Sequence, residues 1–252
     1  MRVGLALSGG GARGIAHLGV MKALEELGIK LDMISGTSAG ALFGSLFAQG
    51  HSPEEILDFV KKVKFFRILR LAASRTGIFK IERLQKKLIN YFPQNSFDAL
   101  KIPVAVVATD ITMGESAIFE QGDLIKAILA SCCMPVIFKP MQFDNKTLVD
   151  GGILNNLPIE PLQGKCDRII GSHCNPVMPD FKVKHAKALL ERTFLMAIRN
   201  NVLIRKDVCD VFLEPPELGK YIGSDFDKAD KLFDIGYEFT LANREELGRI
   251  LS

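Results

Sequence analysis

The stretch Leu31-Asp32-Met33-Ile34-Ser35-Gly36-Thr37-Ser38-Ala39-Gly40-Ala41-Leu42 decides the fold. Leu31 to Ser35 reads as a short buried strand, and Ser38 to Gln49 as a helix closed by Gly50. Between them Gly36-Thr37-Ser38-Ala39-Gly40 fits G-x-S-x-G, a sharp strand-to-helix turn whose flanking glycines leave space where a Cβ would clash. Such an elbow stands Ser38 at the carboxyl end of its strand, beside the positive end of a helix. Negative charge developing in acyl transfer would be stabilised there. Taken alone, the same residues also read as a small-residue helix start capped by Ser35, Thr37 or Ser38.

Working outward, Val3 to Leu7 reads as a buried strand, followed by a glycine-rich turn and a helix from about Arg13 to Leu27 that ends at Gly28. Ser52-Pro53-Glu54-Glu55 opens a third helix with an N-cap and an N1 proline. Lys61 to Arg75 interrupts the rhythm with a basic and aromatic stretch that looks like an insertion above the sheet. A helical segment from Ile81 to Tyr91 follows. Strands are predicted at Val104–Ala108, Ser116–Glu120, Thr147–Val149, Arg168–Ser172 and Val211–Leu213. Helices are predicted at Asp123–Cys133, Ala186–Lys206 and Asp227–Leu247. Strands alternating with helices imply a parallel sheet.

The 252 residues suffice for one large core, and 48% hydrophobic with 24% charged residues excludes a disordered or fibrous chain. A net charge of +3, from 32 basic against 29 acidic residues, is too small to argue for a nucleic-acid partner. Five cysteines without a CxxC pair or metal-type spacing fit a reducing cytoplasm, and no metal is expected. The N-terminus runs into motif-bearing sequence without a hydrophobic leader, and Ala41 to Ala48 is too short to span a bilayer. The expectation is a cytoplasmic protein, soluble or at most resting on a membrane surface.

Gly9-Gly10-Gly11-Ala12-Arg13-Gly14 follows the first strand, so several backbone N–H groups converge without side chains in the way and form an anion-binding nest. In acyl transfer that anion is the tetrahedral oxyanion. Gly9, Gly11 and Gly14 also fit G-x-G-x-x-G, which makes a dinucleotide-binding oxidoreductase the rival reading. That rival needs an acidic ribose partner roughly 20 residues on, at the end of the second strand. Asp32 lies 32 − 14 = 18 residues beyond Gly14, but it precedes the strand, whose far end holds Gly36-Thr37-Ser38. A P-loop fails for want of a Gly-Lys-Ser/Thr ending.

A serine hydroxyl needs a base. Of His17, His51, His173 and His185 none sits in a triad-like loop, and only His17, one turn beyond the glycine loop, is retained as a candidate. Asp150-Gly151-Gly152 ends an apolar strand and could turn its carboxylate to the same sheet edge, although an Asp-Gly pair also reads as an ordinary turn.

Together these segments resemble the patatin-like phospholipase family, particularly its small bacterial members. Ser8-Gly9-Gly10-Gly11-Ala12-Arg13-Gly14 is similar to the family's oxyanion loop, and Gly36-Thr37-Ser38-Ala39-Gly40 to its nucleophile elbow. Ala130-Ser131-Cys132-Cys133-Met134-Pro135 with Phe138 resembles its A-S-x-x-x-P segment. Asp150-Gly151-Gly152-Ile153-Leu154-Asn155-Asn156-Leu157-Pro158 resembles its Asp-Gly-Gly motif. The resemblance covers about 3–172 and implies one domain over 1–252, a mostly parallel three-layer α/β/α sheet domain with a helical part over about 173–252. It also implies a Ser38–Asp150 dyad without histidine, a loop from Gly9 to Gly14 with Gly10 and Gly11 as oxyanion donors and Arg13 nearby, and no cofactor. Ser8 stands where many members carry an acidic residue.

The resemblance suggests a lipid or acyl-ester substrate. Lys61, Lys62, Lys64, Arg67, Arg70 and Arg75, interleaved with Phe65, Phe66, Ile68, Leu69 and Leu71, fit either peripheral contact with an anionic bilayer over residues 61–75 or an amphipathic helix packed on the sheet. Leu195-Met196-Ala197-Ile198 is read as core or as a homo-oligomer contact. A regulatory protein that keeps the fold without catalysis is the alternative outside enzymes.

Overall fold

Every residue of β1 (Val3–Leu7), β2 (Met33–Thr37) and β3 (Val104–Asp110) is buried. Burial on both faces is what a parallel strand covered by helices requires, and the polar Ser35 and Thr37 of β2 are accommodated by donating to the Pro158 and Asn155 carbonyls. The computed structural model describes residues 1–63, 82–135, 137–179, 183 and 186–249. Within them β1 pairs in parallel with β2 and with β7 (Arg168–Ser172), β2 with β3, and β7 with β8 (Val211–Leu213). Antiparallel β4 (Glu115–Phe119) and β6 (Lys146–Asp150), the latter carrying β5 (Met141–Phe143), extend the sheet to eight strands.

Alternation along the strands sets two main core clusters on opposite faces, with a small third one of Ala108, Ala117, Ala130 and Leu148. Leu5, Leu7, Ile34, Val104 and Val106 face a large cluster shared with α1 (Ala16–Glu26), α2 (Ala39–Gln49), α3 (Pro53–Val63), α4 (Glu82–Leu88) and α5 (Leu124–Ser131). Ala6, Met33, Ala105 and Ile169 face the other side, where Leu157, Ile159, Leu162 and Val202 of α6 (Ala186–Lys206) close a smaller cluster. Helices α7 (Ala229–Ala242) and α8 (Arg244–Gly248) add Leu232, Phe233 and Leu247 to the large one. Each fully buried Leu or Ile stabilises by about 1.5–3 kcal/mol, so the larger cluster carries most of the hydrophobic stabilisation. The result is the expected three-layer α/β/α arrangement around a mostly parallel sheet.

Several boundaries differ from the sequence reading for local reasons. The helix expected from Arg13 starts as a 3-10 turn at Gly11–Ile15, and the α-helix begins only at Ala16, because Gly11 sits at φ 58°. The second strand begins two residues later than expected, at Met33, because Asp32 is held at the strand entry: its carboxylate accepts the Val3 amide at 2.8 Å. The helix expected over 227–247 breaks at Asn243, whose side chain turns back to the Phe239 carbonyl at 2.7 Å. α3 opens with a capping box: Ser52 N–H donates to the Glu55 carboxylate (2.9 Å) and Glu55 N–H to Ser52 Oγ (3.2 Å). Of the stretch 61–75 only 61–63 lie within the described residues, and His185 lies outside them. Among the described residues no helix is long and apolar enough to cross a membrane.

One edge of β3 positions the site. β4 occupies one edge along Val106–Asp110, so β2 and β6 must share the other: β2 lies beside Val104–Val107 and β6 beside Ala108–Asp110. Thr37 is opposite Val107 and Asp150 opposite Ala108, so the carboxyl ends of β2 and β6 approach from opposite directions and meet.

Candidate active site

Ser38 follows β2 directly and adopts φ 53°, ψ −119°, one of three non-glycine residues at positive φ among those described. Such a conformation costs about 1–3 kcal/mol and persists only where the surroundings fix it. Its amide donates to Ser131 Oγ at 2.8 Å, and the Ser131 hydroxyl donates to the Val107 carbonyl at 2.6 Å. The Cys132 thiol donates to the Ser38 carbonyl at 3.3 Å. The glycines on either side are steric necessities. A Cβ on Gly36 would lie 2.6 Å from the Gly40 carbonyl, and one on Gly40 would overlap the carbonyl oxygen of Leu7.

The Ser38 hydroxyl donates to Asp150 Oδ2 at 2.6 Å across 112 residues of sequence. The other oxygen, Oδ1, accepts the Gly152 amide at 2.9 Å, and the Asp150 amide donates to the Cys133 carbonyl at 3.0 Å. Asp150 is 5% exposed. Burial raises its carboxyl to about 6, against the opposing pull of the Ser38 and Gly152 hydrogen bonds. Burial and the neighbouring Asp150 also push the Cys132 thiol well above its usual range, which keeps it a neutral donor. The segment after Asp150 is stitched to β2: Thr37 Oγ1 donates to the Asn155 carbonyl (2.8 Å) and Ser35 Oγ to the Pro158 carbonyl (2.5 Å). Gly151 follows the Val107 carbonyl so closely that a Cβ would overlap it, and a Cβ on Gly152 would lie 2.8 Å from Asn156 Oδ1.

The glycine loop passes over the elbow, for a Cβ on Gly9 would lie 3.1 Å from that of Ser38. Not all of Gly9–Gly14 can serve as donors. The Ala12 amide donates to the Gly223 carbonyl at 2.8 Å, which corrects the expectation that it lines an open nest. Gly14 serves packing instead, since a Cβ there would lie 2.5 Å from that of Ala39. Arg13 is buried within the same turn. Among the described residues no backbone acceptor takes the amides of Gly10 or Gly11.

His17 is fully buried, and burial lowers it to about 4, so it is neutral at pH 7. Its Nε2 lies 2.9 Å from the Ser8 carbonyl, which can only accept, so Nε2 carries the proton and Nδ1 accepts from the Ser172 hydroxyl at 2.8 Å. Both nitrogens are engaged, and the ring supports the glycine loop rather than Ser38. His173 Nδ1 pairs with Glu214 at 2.6 Å, and His51 lies at Tyr91. Asp32 holds Val3 at the opposite, amino edge of the sheet, away from the loop that a dinucleotide would require. No group of three or more His, Cys, Asp or Glu among the described residues could hold a metal.

Sequence reasoning gave no role to Ser131, although it lay within the Ala130–Pro135 segment, and none to Ser8, Asn156 or Asn175. The Asn156 amide donates to Asn201 Oδ1 at 2.9 Å, while the buried Asn156 Nδ2 has no hydrogen-bond partner among the described residues.

Residues 5–162 match the family described as Patatin-like phospholipase. An uncharacterised NTE family protein of Mycobacterium tuberculosis is 39% identical over 166 residues, 65% of this chain and 46% of that protein. Patatin-like phospholipase domain-containing protein 7 of Rattus norvegicus is 28% identical, over 94% of this chain and 20% of the relative. The chain thus spans less than half the length of these curated relatives. The crystal structure of VipD from Legionella pneumophila shares the fold: TM-score 0.50, 19% identity, covering 92% of this chain and 67% of that one.

Proposed function

The chain belongs to the patatin-like phospholipase family, and on that premise we propose that it is a lipid acyl-hydrolase using Ser38 as nucleophile and Asp150 as general base. The substrate class is a fatty-acyl ester: a phospholipid, a lysophospholipid or a simple carboxylester. The observation that carries this reading is the 2.6 Å hydrogen bond from the strained Ser38 to the buried Asp150.

In this mechanism Asp150 takes the proton of Ser38 as Oγ adds to the acyl carbon. The carbonyl oxygen becomes an oxyanion, which accepts from the amides of Gly10 and Gly11. Asp150 returns the proton to the departing alcohol, leaving an acyl ester on Ser38. A water, deprotonated by Asp150, adds to that ester, and collapse releases the fatty acid and restores the Ser38 hydroxyl. A carboxyl raised to about 6 is a stronger base than a solvated one, while still ionised at pH 7. We read 1–252 as one domain acting in the cytoplasm, with residues 61–75 as its contact with an anionic membrane face.

A fluorophosphonate probe should label Ser38 in the wild type and not in Ser38→Ala, and both Ser38→Ala and Asp150→Asn should lose hydrolysis of p-nitrophenyl acyl esters. A wild type that takes no label and hydrolyses no ester of any chain length sinks the proposal, and leaves the non-catalytic reading in its place.

A further inference from the structure

The glycine loop acts through peptide planes, and a trans peptide fixes its N–H antiparallel to its C=O. Whatever binds a carbonyl on the far side of the loop therefore aims the next amide. The Ser8 carbonyl is held by His17 Nε2–H at 2.9 Å, and the Ser8 amide donates to the Ser172 carbonyl at 3.0 Å. Beyond the glycines, the Ala12 amide is anchored on Gly223. Between these anchors lies the Gly9–Gly10 plane, and its carbonyl accepts from Asn175 Nδ2 at 2.5 Å and, more weakly, from the Cys174 thiol at 3.3 Å.

We propose, building on the acyl-hydrolase reading, that Asn175 is a positioning residue: it holds the Gly9 carbonyl away from Ser38 and so turns the Gly10 N–H toward the oxyanion. Asn175 lies 4% exposed, just past β7 and ahead of Pro176, which restricts its backbone to extended conformations. Its amide orientation is unambiguous, because the carbonyl it faces can only accept and the reverse orientation would set oxygen against oxygen. Its own Oδ1 is buried without a hydrogen-bond partner among the described residues. A buried acceptor left unpaired costs stability, and retaining Asn here rather than an apolar residue has a reason if the donor atom is the part required. Space agrees: a Cβ on Gly10 would lie 3.0 Å from Asn175 Oδ1 and overlap Cys174 Sγ, so loop and strand end fit only with glycine at that position. Asn175 falls outside the residues 5–162 that match the family.

The test compares the wild-type chain with Asn175→Ala and, assayed from pH 7 to 9 so that the new carboxyl is ionised, with the isosteric Asn175→Asp, which then sets an acceptor against the Gly9 carbonyl. With p-nitrophenyl butyrate, kcat should fall about 10²-fold in both while KM stays within about threefold, as expected for loss of a donor that acts in the transition state. A trifluoromethyl ketone, which adds to the serine to give a tetrahedral oxyanion, should lose affinity in parallel with kcat/KM. Binding of an unreactive ether analogue, which has no carbonyl to become an oxyanion, should not change. Retention of kcat within threefold of wild type in Asn175→Asp overturns the inference, and so does equal weakening of ketone and ether. If Asn175→Ala does not fold, Asn175→Asp alone decides the matter by the same readings. A wild type lacking hydrolysis and fluorophosphonate labelling would instead remove the acyl-hydrolase reading itself.

Discussion

At the amino edge of the sheet Asp32 accepts the Val3 amide at 2.8 Å and Asp210 accepts that of Ile169 at 2.8 Å. At the carboxyl edge Asp150 accepts the Gly152 amide at 2.9 Å and the Ser38 hydroxyl at 2.6 Å. The groups are the same and the surroundings differ. Asp32 is partly exposed and Asp210 exposed, whereas Asp150 is buried and its carboxyl is raised to about 6. Water reaches the first two, which fasten strand entries, Asp210 also pairing with Arg168 at 3.2 Å. With water excluded, the third keeps an elevated affinity for a proton, and it holds the Ser38 hydroxyl in a hydrogen bond. The three carboxylates differ in burial and not in residue type.

The strongest way to break that contrast is Ser38→Ala, which should lower kcat by about 10⁴-fold or more, as measured by steady-state hydrolysis of a p-nitrophenyl ester. In the wild type, kcat/KM should rise with pH up to about 6 and then level off as Asp150 ionises. A flat profile from pH 5 to 8 would separate Asp150 from the base role. Next in size, Gly40→Ala should destabilise by about 3 kcal/mol, because the new Cβ would overlap the Leu7 carbonyl and the elbow cannot retreat. Urea unfolding would read this as a lower midpoint with unchanged slope.

Asp150→Asn tests the linkage. The folded carboxyl binds its proton more tightly than an unfolded one of about 3.8, so this group's contribution is fully favourable below pH 3.8. It is lost as pH rises to about 6. By pH 8 the whole of that contribution, up to about 3 kcal/mol, is gone. Asp150→Asn should therefore be more stable than the wild type at pH 8, and less so at pH 4, while being inactive. The smallest effect belongs to the amino edge: Asp32→Ala should cost about 1 kcal/mol and leave kcat unchanged. A fall in kcat with Asp32→Ala would mean that the two edges are coupled.

What was legible in the sequence follows from which interactions are local. The elbow could be read because Gly36 and Gly40 are required by clashes within and beside one turn, and because a short strand and a helix flank it in sequence. The bounds of β1, β7, β8 and α6 match the reading for the same reason. β5 was missed because three residues, Met141–Phe143, carry no periodicity. His17 drew notice as a candidate base, yet its partners Ser8 and Ser172 are 9 and 155 residues away, and only the β1–β7 pairing shows that both nitrogens are taken. Asn175 contacts Gly9 across 166 residues and belongs to no recognisable pattern. Asp150 looked like a turn residue, and it is one: its carboxylate caps the Gly152 amide while also facing Ser38.

The meeting of β2 and β6 along one edge of β3 makes that strand a ruler. Ser38 and Asp150 are adjacent because Thr37 and Asp150 sit opposite neighbouring rungs, Val107 and Ala108, and the length of chain between them does not enter. Extra residues spliced into the hairpin at Gly114 or the turn at Asn145 would leave the hydroxyl and the carboxylate where they are. One residue added to β3 between those rungs would pull them apart by about 3.3 Å and end the hydrogen bond. The spacing of the Ser38–Asp150 hydrogen bond is therefore recorded in a strand that supplies neither partner.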